Sequence, residues 1–202
     1  MPRRIAIIVI LWLVATLHHG AEAQKVNGVV LDQPELLPTF ELQDQDGNAF
    51  GIDRLKDHWS MILVGFTSCP DVCPFTLGNL GAVRSELGLR LRPDRMPNII
   101  FLAVDPERDK PVLKGYIDHF NPNFIGLTGT PKQIDKLVAG LDAFYRLEKK
   151  RPNDQDYTVK HSAAVSIINP KAEVVAKISP PFHPHRTGDY LAKLIQGAKF
   201  DD

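Results

Sequence analysis

An unbroken apolar run at residues 59–66 is the feature that most limits how this chain can fold. The run has the length of one strand and is apolar at consecutive positions, which is typical of a central strand covered on both faces. Both cysteines of the chain, Cys69 and Cys73, follow it directly in one short loop. The sequence therefore predicts a sheet with two covered faces and a cysteine loop next to one of its buried strands.

Further strands and helices alternate along the rest of the chain. Strands are expected at residues 98–104 and 124–127, hairpins at residues 40–47 and 162–178, and helices at residues 76–89, 111–120, 130–141 and 187–197. We expect residues 24–38 to be irregular, and residues 105–109 to form a polar loop. This order predicts an α/β fold of the thioredoxin-like type, with a central mixed sheet flanked by helices and with N-terminal and C-terminal hairpin additions. Periodicity alone is equally compatible with other α/β layouts.

The N-terminus has the layout of a secretory signal peptide. Arg3 and Arg4 precede an apolar block at residues 5–17, and Ala21-Glu22-Ala23 gives a small-x-small cleavage pattern. We therefore expect residues 1–23 to be a signal peptide, residues 24–202 to be one domain, and the location to be a bacterial periplasm. The apolar block is shorter than the roughly 20 residues of a spanning helix, so an uncleaved inner-membrane anchor facing the periplasm is the alternative.

Charge excludes one class of partner. The chain has 24 lysines and arginines and 24 aspartates and glutamates. Proteins that bind nucleic acid or anionic membranes generally show an excess of positive charge. We therefore expect no nucleic-acid partner.

The spacing of the cysteines indicates chemistry rather than structural cross-linking. A disulfide across three residues would remove little entropy from the unfolded chain, so Cys69 and Cys73 are expected to bind a metal or to exchange electrons. Pro74 favours a helix start that places Cys73 at the helix N-terminus, where the helix dipole would stabilise its thiolate. Thioredoxin-like oxidoreductases have two residues between their cysteines and this chain has three, which disfavours exchange chemistry without excluding it.

Four further motifs occur in order along the chain. They are GFTSCPDVCP at residues 65–74, VDPERD at 104–109, FIGLTG at 124–129, and HSAA at 161–164 with INP at 168–170. Together they resemble the Sco/SenC family of copper-delivery proteins for cytochrome c oxidase. The resemblance implies a thioredoxin-like fold in which Cys69, Cys73 and His161 gather to bind one copper ion, with Asp105 close by. Copper(I) suits this set because it is soft, prefers thiolates and tolerates three ligands, whereas structural zinc normally takes four.

The resemblance also implies a function and partners. We expect a metallochaperone without turnover that delivers copper to the dinuclear copper site of cytochrome c oxidase. Its partners would be the copper-binding subunit of the oxidase, an upstream copper chaperone and a thioredoxin-like reductant. The alternative is a thiol-disulfide oxidoreductase, with Cys69 and Cys73 as the redox pair, that keeps the oxidase cysteines reduced.

Some residues have simpler interpretations. Without the resemblance, His161 would be read as a hydrogen-bonded core histidine, and Asp105 could cap the helix that follows it. Lys160 stands where many family members have an acidic residue, which predicts a more positive field beside His161.

Overall fold

The computed structural model describes residues 26–151, 153–154 and 156–197. The predicted signal peptide, residues 1–23, lies outside the described residues. Among those that are described, no helix is both long enough and apolar enough to span a membrane.

In the part of the chain that the structure describes, eight strands form one mixed sheet and two more form a separate ribbon. The strands are β1 Gly28–Leu36, β2 Glu41–Asp44, β3 Ala49–Gly51, β4 Ser60–Gly65, β5 Asn98–Ala103, β6 Ile125–Thr128, β7 Tyr145–Leu147, β8 Val159–His161, β9 Val165–Ile168 and β10 Glu173–Ile178. The order in the sheet is β1-β10-β9-β4-β5-β6-β2-β3, and β7 pairs with β8. The central pairs β4–β5 and β5–β6 are parallel, whereas β9 runs antiparallel to β4. This confirms the predicted mixed sheet with hairpins toward both ends of the chain.

The described residues include five α-helices, four of which pack apolar side chains against the sheet. They are α1 Val72–Gly88, α2 Pro106–Asp109, α3 Leu113–Phe120, α4 Pro131–Gly140 and α5 Pro184–Gln196. Side chains of α1, α3 and α5 share one core cluster with Met61 and Leu63 of β4, and side chains of α4 share the other with Ile62 and Val64. Successive residues of β4 therefore point into opposite cores, which explains the consecutive apolar residues Met61–Val64.

The structure differs from the sequence-based prediction in several places, of which three bear on the elements described above. Within the segment that was expected to be irregular, Gly28–Leu36 form β1, an edge strand antiparallel to β10. The predicted loop at residues 105–109 contains the short helix α2. The helix expected at residues 76–89 begins four residues earlier, at Val72, so that it starts inside the cysteine loop.

Candidate metal centre

The cysteine loop connects the end of β4 to the start of α1. The backbone N–H of Cys69 donates to the carbonyl of Phe66 at 3.2 Å, which closes a tight turn. Cys73 is the second residue of α1, and its backbone N–H points at the Cys69 sulfur, 3.5 Å away. The structure therefore places Cys73 at the helix N-terminus and Cys69 in the preceding turn, as the sequence predicts. Cys73 is fully buried, whereas Cys69 is partly exposed.

Gly65 gives the buried sulfur its space. A Cβ atom at this position would lie 2.8 Å from the Cys73 Sγ and 2.5 Å from the Phe101 ring. Favourable contacts between such atoms need about 3.5–4.0 Å. The last residue of β4 must therefore lack a side chain if the Cys73 thiol is to occupy this position.

His161 reaches the cysteines from the β7–β8 ribbon. It is the last residue of β8 and lies opposite Tyr145 of β7. Its Nδ1 lies 2.9 Å from the carbonyl oxygen of Ser162, so Nδ1 is the protonated nitrogen that donates. The other ring nitrogen, Nε2, faces the Cys73 Sγ, 3.5 Å away. The edge of the ring also packs against Phe66, with a centroid distance of 5.9 Å.

Three potential ligand atoms thus converge. The Cys69 Sγ, the Cys73 Sγ and one ring nitrogen of His161 all lie within 4.8 Å of one another, and they form the one such group among the described residues. Two sulfurs and a neutral imidazole suit a soft ion such as copper(I). Because Cys69 and His161 are partly exposed, the group can be reached from solvent.

Protonation of Cys73 does not follow the sequence-based prediction. Burial raises the pKa of the Cys73 thiol far above its usual value, and the nearby Cys69 and Asp109 act in the same direction. A hydrogen bond from the Phe66 backbone acts in the opposite direction but is outweighed. The expectation that the helix dipole makes Cys73 a thiolate is therefore wrong for the metal-free protein, because desolvation is the larger effect.

Asp105 lies in a buried polar network with Arg108 and Tyr157, and its role beside the metal stays a prediction. Its carboxylate accepts from the Arg108 Nε at 2.5 Å and from the Tyr157 hydroxyl at 2.8 and 2.9 Å. The Arg108 guanidinium also stacks over the Tyr157 ring at 3.7 Å. The side chain of Asp105 makes no capping hydrogen bond to α2, so the capping interpretation is not supported.

Three neighbours of the site escaped the sequence analysis. Asp109 bonds to Thr67 in the cysteine loop, Tyr157 bonds to Asp105, and Phe66 packs against the His161 ring. If residues 105–109 had been predicted as a helix, Asp105 and Asp109 would have been placed on one face, and Asp109 would have been indicated as a neighbour of the site. Phe66 lies within the cysteine motif, whereas no local pattern marks Tyr157, because its role depends on contacts between distant segments.

The chain is similar to proteins of one family. The family model described as SCO1/SenC matches residues 30–196. An SCO2-like protein of Rickettsia conorii is 40% identical over 148 residues, which are 73% of this chain and 70% of that protein.

Solved structures show the same likeness. The crystal structure of yeast Sco1 with copper bound has a TM-score of 0.74 and 29% identity, covering 82% of this chain and 91% of that one. The crystal structure of Arabidopsis thaliana ScoI with copper bound has a TM-score of 0.71 and 28% identity, covering 80% and 99%. With a family match over most of its length, this chain belongs to the SCO1/SenC family.

Proposed function

We propose that this protein is a copper metallochaperone, which binds one copper ion through Cys69, Cys73 and His161 and delivers it to the dinuclear copper site of cytochrome c oxidase. The convergence of two thiols and an imidazole within 4.8 Å is the observation on which the proposal rests. The copper-bound structures of yeast and Arabidopsis relatives support the choice of ion. Delivery to the oxidase is the function that the Sco/SenC resemblance implies.

The uneven exposure of the three side chains suits a protein that must release its cargo. Cys69 and His161 are partly exposed, so thiolates or imidazoles of an acceptor can approach and replace them. Cys73 is fully buried and would be the last ligand to dissociate. Because its thiol is protonated in the metal-free protein, a proton returning to Cys73 would favour release.

Location and partners follow from the same proposal. We infer that the protein works in the bacterial periplasm, with the inner-membrane-anchored form as the alternative. The acceptor would be the copper-binding subunit of the oxidase, and an upstream copper chaperone would load the protein. Since the periplasm is oxidising, a thioredoxin-like reductant would keep the two thiols reduced.

A second candidate function is thiol-disulfide exchange with the oxidase cysteines, and the arrangement of the two thiols favours it. The Cys69 sulfur is accessible, as an attacking thiol must be, and it accepts a hydrogen bond from the backbone N–H of Cys73. Cys73 lies behind it, where it could resolve a mixed disulfide. This chemistry needs both cysteines but not His161.

Copper titration of the reduced domain without its signal peptide tests the proposal. Cys69→Ser, Cys73→Ser and His161→Ala should each sharply weaken binding of one ion per chain. His58→Ala serves as the control, because His58 is exposed and precedes the start of β4, whereas the cysteines follow its end. If His161→Ala binds copper like the parent protein and still reduces a disulfide peptide, the oxidoreductase is the better assignment.

A further inference from the structure

The short helix α2 presents a completely buried carboxylate to the cysteine loop. One oxygen of Asp109 accepts both the backbone N–H and the hydroxyl of Thr67, each at 2.7 Å. Its other oxygen accepts the backbone N–H of Asp105 at 2.9 Å. Asp109 is 0% exposed, and its carboxylate accepts hydrogen bonds from Thr67 and Asp105. Charged groups are buried only where several hydrogen bonds compensate for lost solvation.

Thr67 is the residue through which this carboxylate acts on the cysteines. It follows Phe66, whose carbonyl accepts the N–H of Cys69 and so fixes the turn that contains that cysteine. Two hydrogen bonds to the same oxygen hold both the backbone and the side chain of Thr67. The first residue of the cysteine loop is therefore fixed in position by a side chain 42 residues away.

The same helix also holds the segment that leads to His161. Arg108 donates from Nη1 to the carbonyl of Tyr157 at 2.9 Å, and the Tyr157 hydroxyl donates to Asp105. Tyr157 precedes β8, which ends at His161. The helix α2 thus contacts both halves of the candidate metal centre, the cysteine loop through Asp109 and the histidine strand through Tyr157.

We propose that Asp109 is a positioning residue for copper binding, which holds the cysteine loop, through Thr67, at the separation from His161 that three-fold coordination requires. This inference rests on the proposed function and names a residue that does not touch the metal. Partners that orient metal ligands typically affect metal affinity by about 10–100-fold. If Asp109 served stability alone, its removal would lower the free energy of unfolding without changing the thiol-disulfide equilibrium of the cysteine pair.

The test compares two losses of a threonine hydroxyl. Thr67→Val removes a hydrogen bond to Asp109, whereas Thr128→Val removes a buried hydrogen bond to the Ala103 carbonyl that the proposal does not involve. Asp109→Ala removes all three hydrogen bonds that the carboxylate accepts. We expect copper(I) affinity, measured by competition with a chelator, to fall about 10–100-fold in Asp109→Ala. It should fall less in Thr67→Val and stay unchanged in Thr128→Val.

A metal-free readout separates this inference from the proposed function. In a glutathione buffer, the two thiols and one glutathione disulfide give the Cys69–Cys73 disulfide and two reduced glutathiones. We expect this equilibrium to shift toward the protein disulfide in Asp109→Ala, because a released loop lets the sulfurs approach bonding distance. Amide hydrogen exchange in residues 67–73 should also become faster. The double variant Asp109→Ala/Thr67→Val should match Asp109→Ala, since both changes break one interaction.

Two results would overturn the inference. One is an Asp109→Ala protein with unchanged glutathione equilibrium and unchanged exchange in the loop. The other is equal loss of copper affinity in Thr67→Val and Thr128→Val, which would indicate a general effect of stability. If the parent protein itself binds no copper, the proposed function fails, and the two metal-free measurements still decide the role of Asp109.

Discussion

Replacing Gly65 by alanine should displace the Cys73 sulfur and weaken copper binding. The added Cβ would lie 2.8 Å from the Cys73 Sγ and 2.5 Å from the Phe101 ring. Since contacts of this kind settle near 3.5–4.0 Å, the sulfur and the ring must each move by about 1 Å. Metal sites tolerate deviations of only about 0.2 Å in their ligand distances. We therefore expect the copper affinity of Gly65→Ala to fall by at least about tenfold.

The same substitution should also destabilise the fold. Overpacking of a well-packed core typically costs about 1–3 kcal/mol. Two other glycines separate this cost from the effect on the site. Gly126→Ala would place a Cβ 2.8 Å from Ile117 and 2.9 Å from Leu113, a comparable overlap away from the cysteines. A Cβ at Gly78, within α1, would meet no atom within 4 Å, so Gly78→Ala should be stabilising by about 0.5–1 kcal/mol.

The assays are urea denaturation of the metal-free proteins and chelator competition for copper(I). Gly65→Ala and Gly126→Ala should lose similar stability, but only Gly65→Ala should lose affinity. The reasoning would be refuted if Gly65→Ala kept the affinity of the parent protein, or if Gly126→Ala lost as much affinity as Gly65→Ala.

Three further predictions follow from the site. Because burial keeps the Cys73 thiol protonated, copper must displace that proton, and the apparent copper affinity should rise about tenfold per pH unit near neutrality from this group alone. Calorimetry in buffers of different ionisation enthalpy measures the proton released. A pH-independent affinity would contradict this prediction. The raised pKa of the Cys73 thiol contributes stability to the fold that is fully present below the ordinary pKa of 9.0 and is lost as the pH rises toward the pKa of the folded state. The metal-free protein should therefore lose stability above about pH 9. In pH-dependent denaturation, Cys73→Ala should reduce that loss. Lys160 lies 2.9 Å from Glu148 and its side chain is 61% exposed. Lys160→Gln should therefore change the free energy of unfolding by less than about 1 kcal/mol and leave copper affinity nearly unchanged. A large change of affinity in chelator competition would show instead that the Lys160 charge acts on His161.

The sequence predicted best what local patterns encode. Strand β4 is buried on both faces, and its residues were therefore recognisable as a continuous apolar run. The strand β1 was missed because it is an edge strand with largely exposed side chains, held by backbone pairing with β10 that leaves no periodic signature. The short ribbon strands β7 and β8 were missed for a related reason, since three residues are too few to show alternation.

By itself the sequence determined the layered α/β architecture, the position of the cysteine pair between a buried strand and a helix, and, through four ordered motifs, the family. Only the tertiary structure decided the protonation of Cys73, because desolvation depends on packing around the sulfur rather than on its place in a helix. Tertiary structure also decided which acidic residue contacts the cysteine loop, since Asp109 and Thr67 are brought together by the pairing of β4 with β5. His161 lies 88 residues from Cys73, and their 3.5 Å approach arises from long-range chain packing that no local pattern encodes.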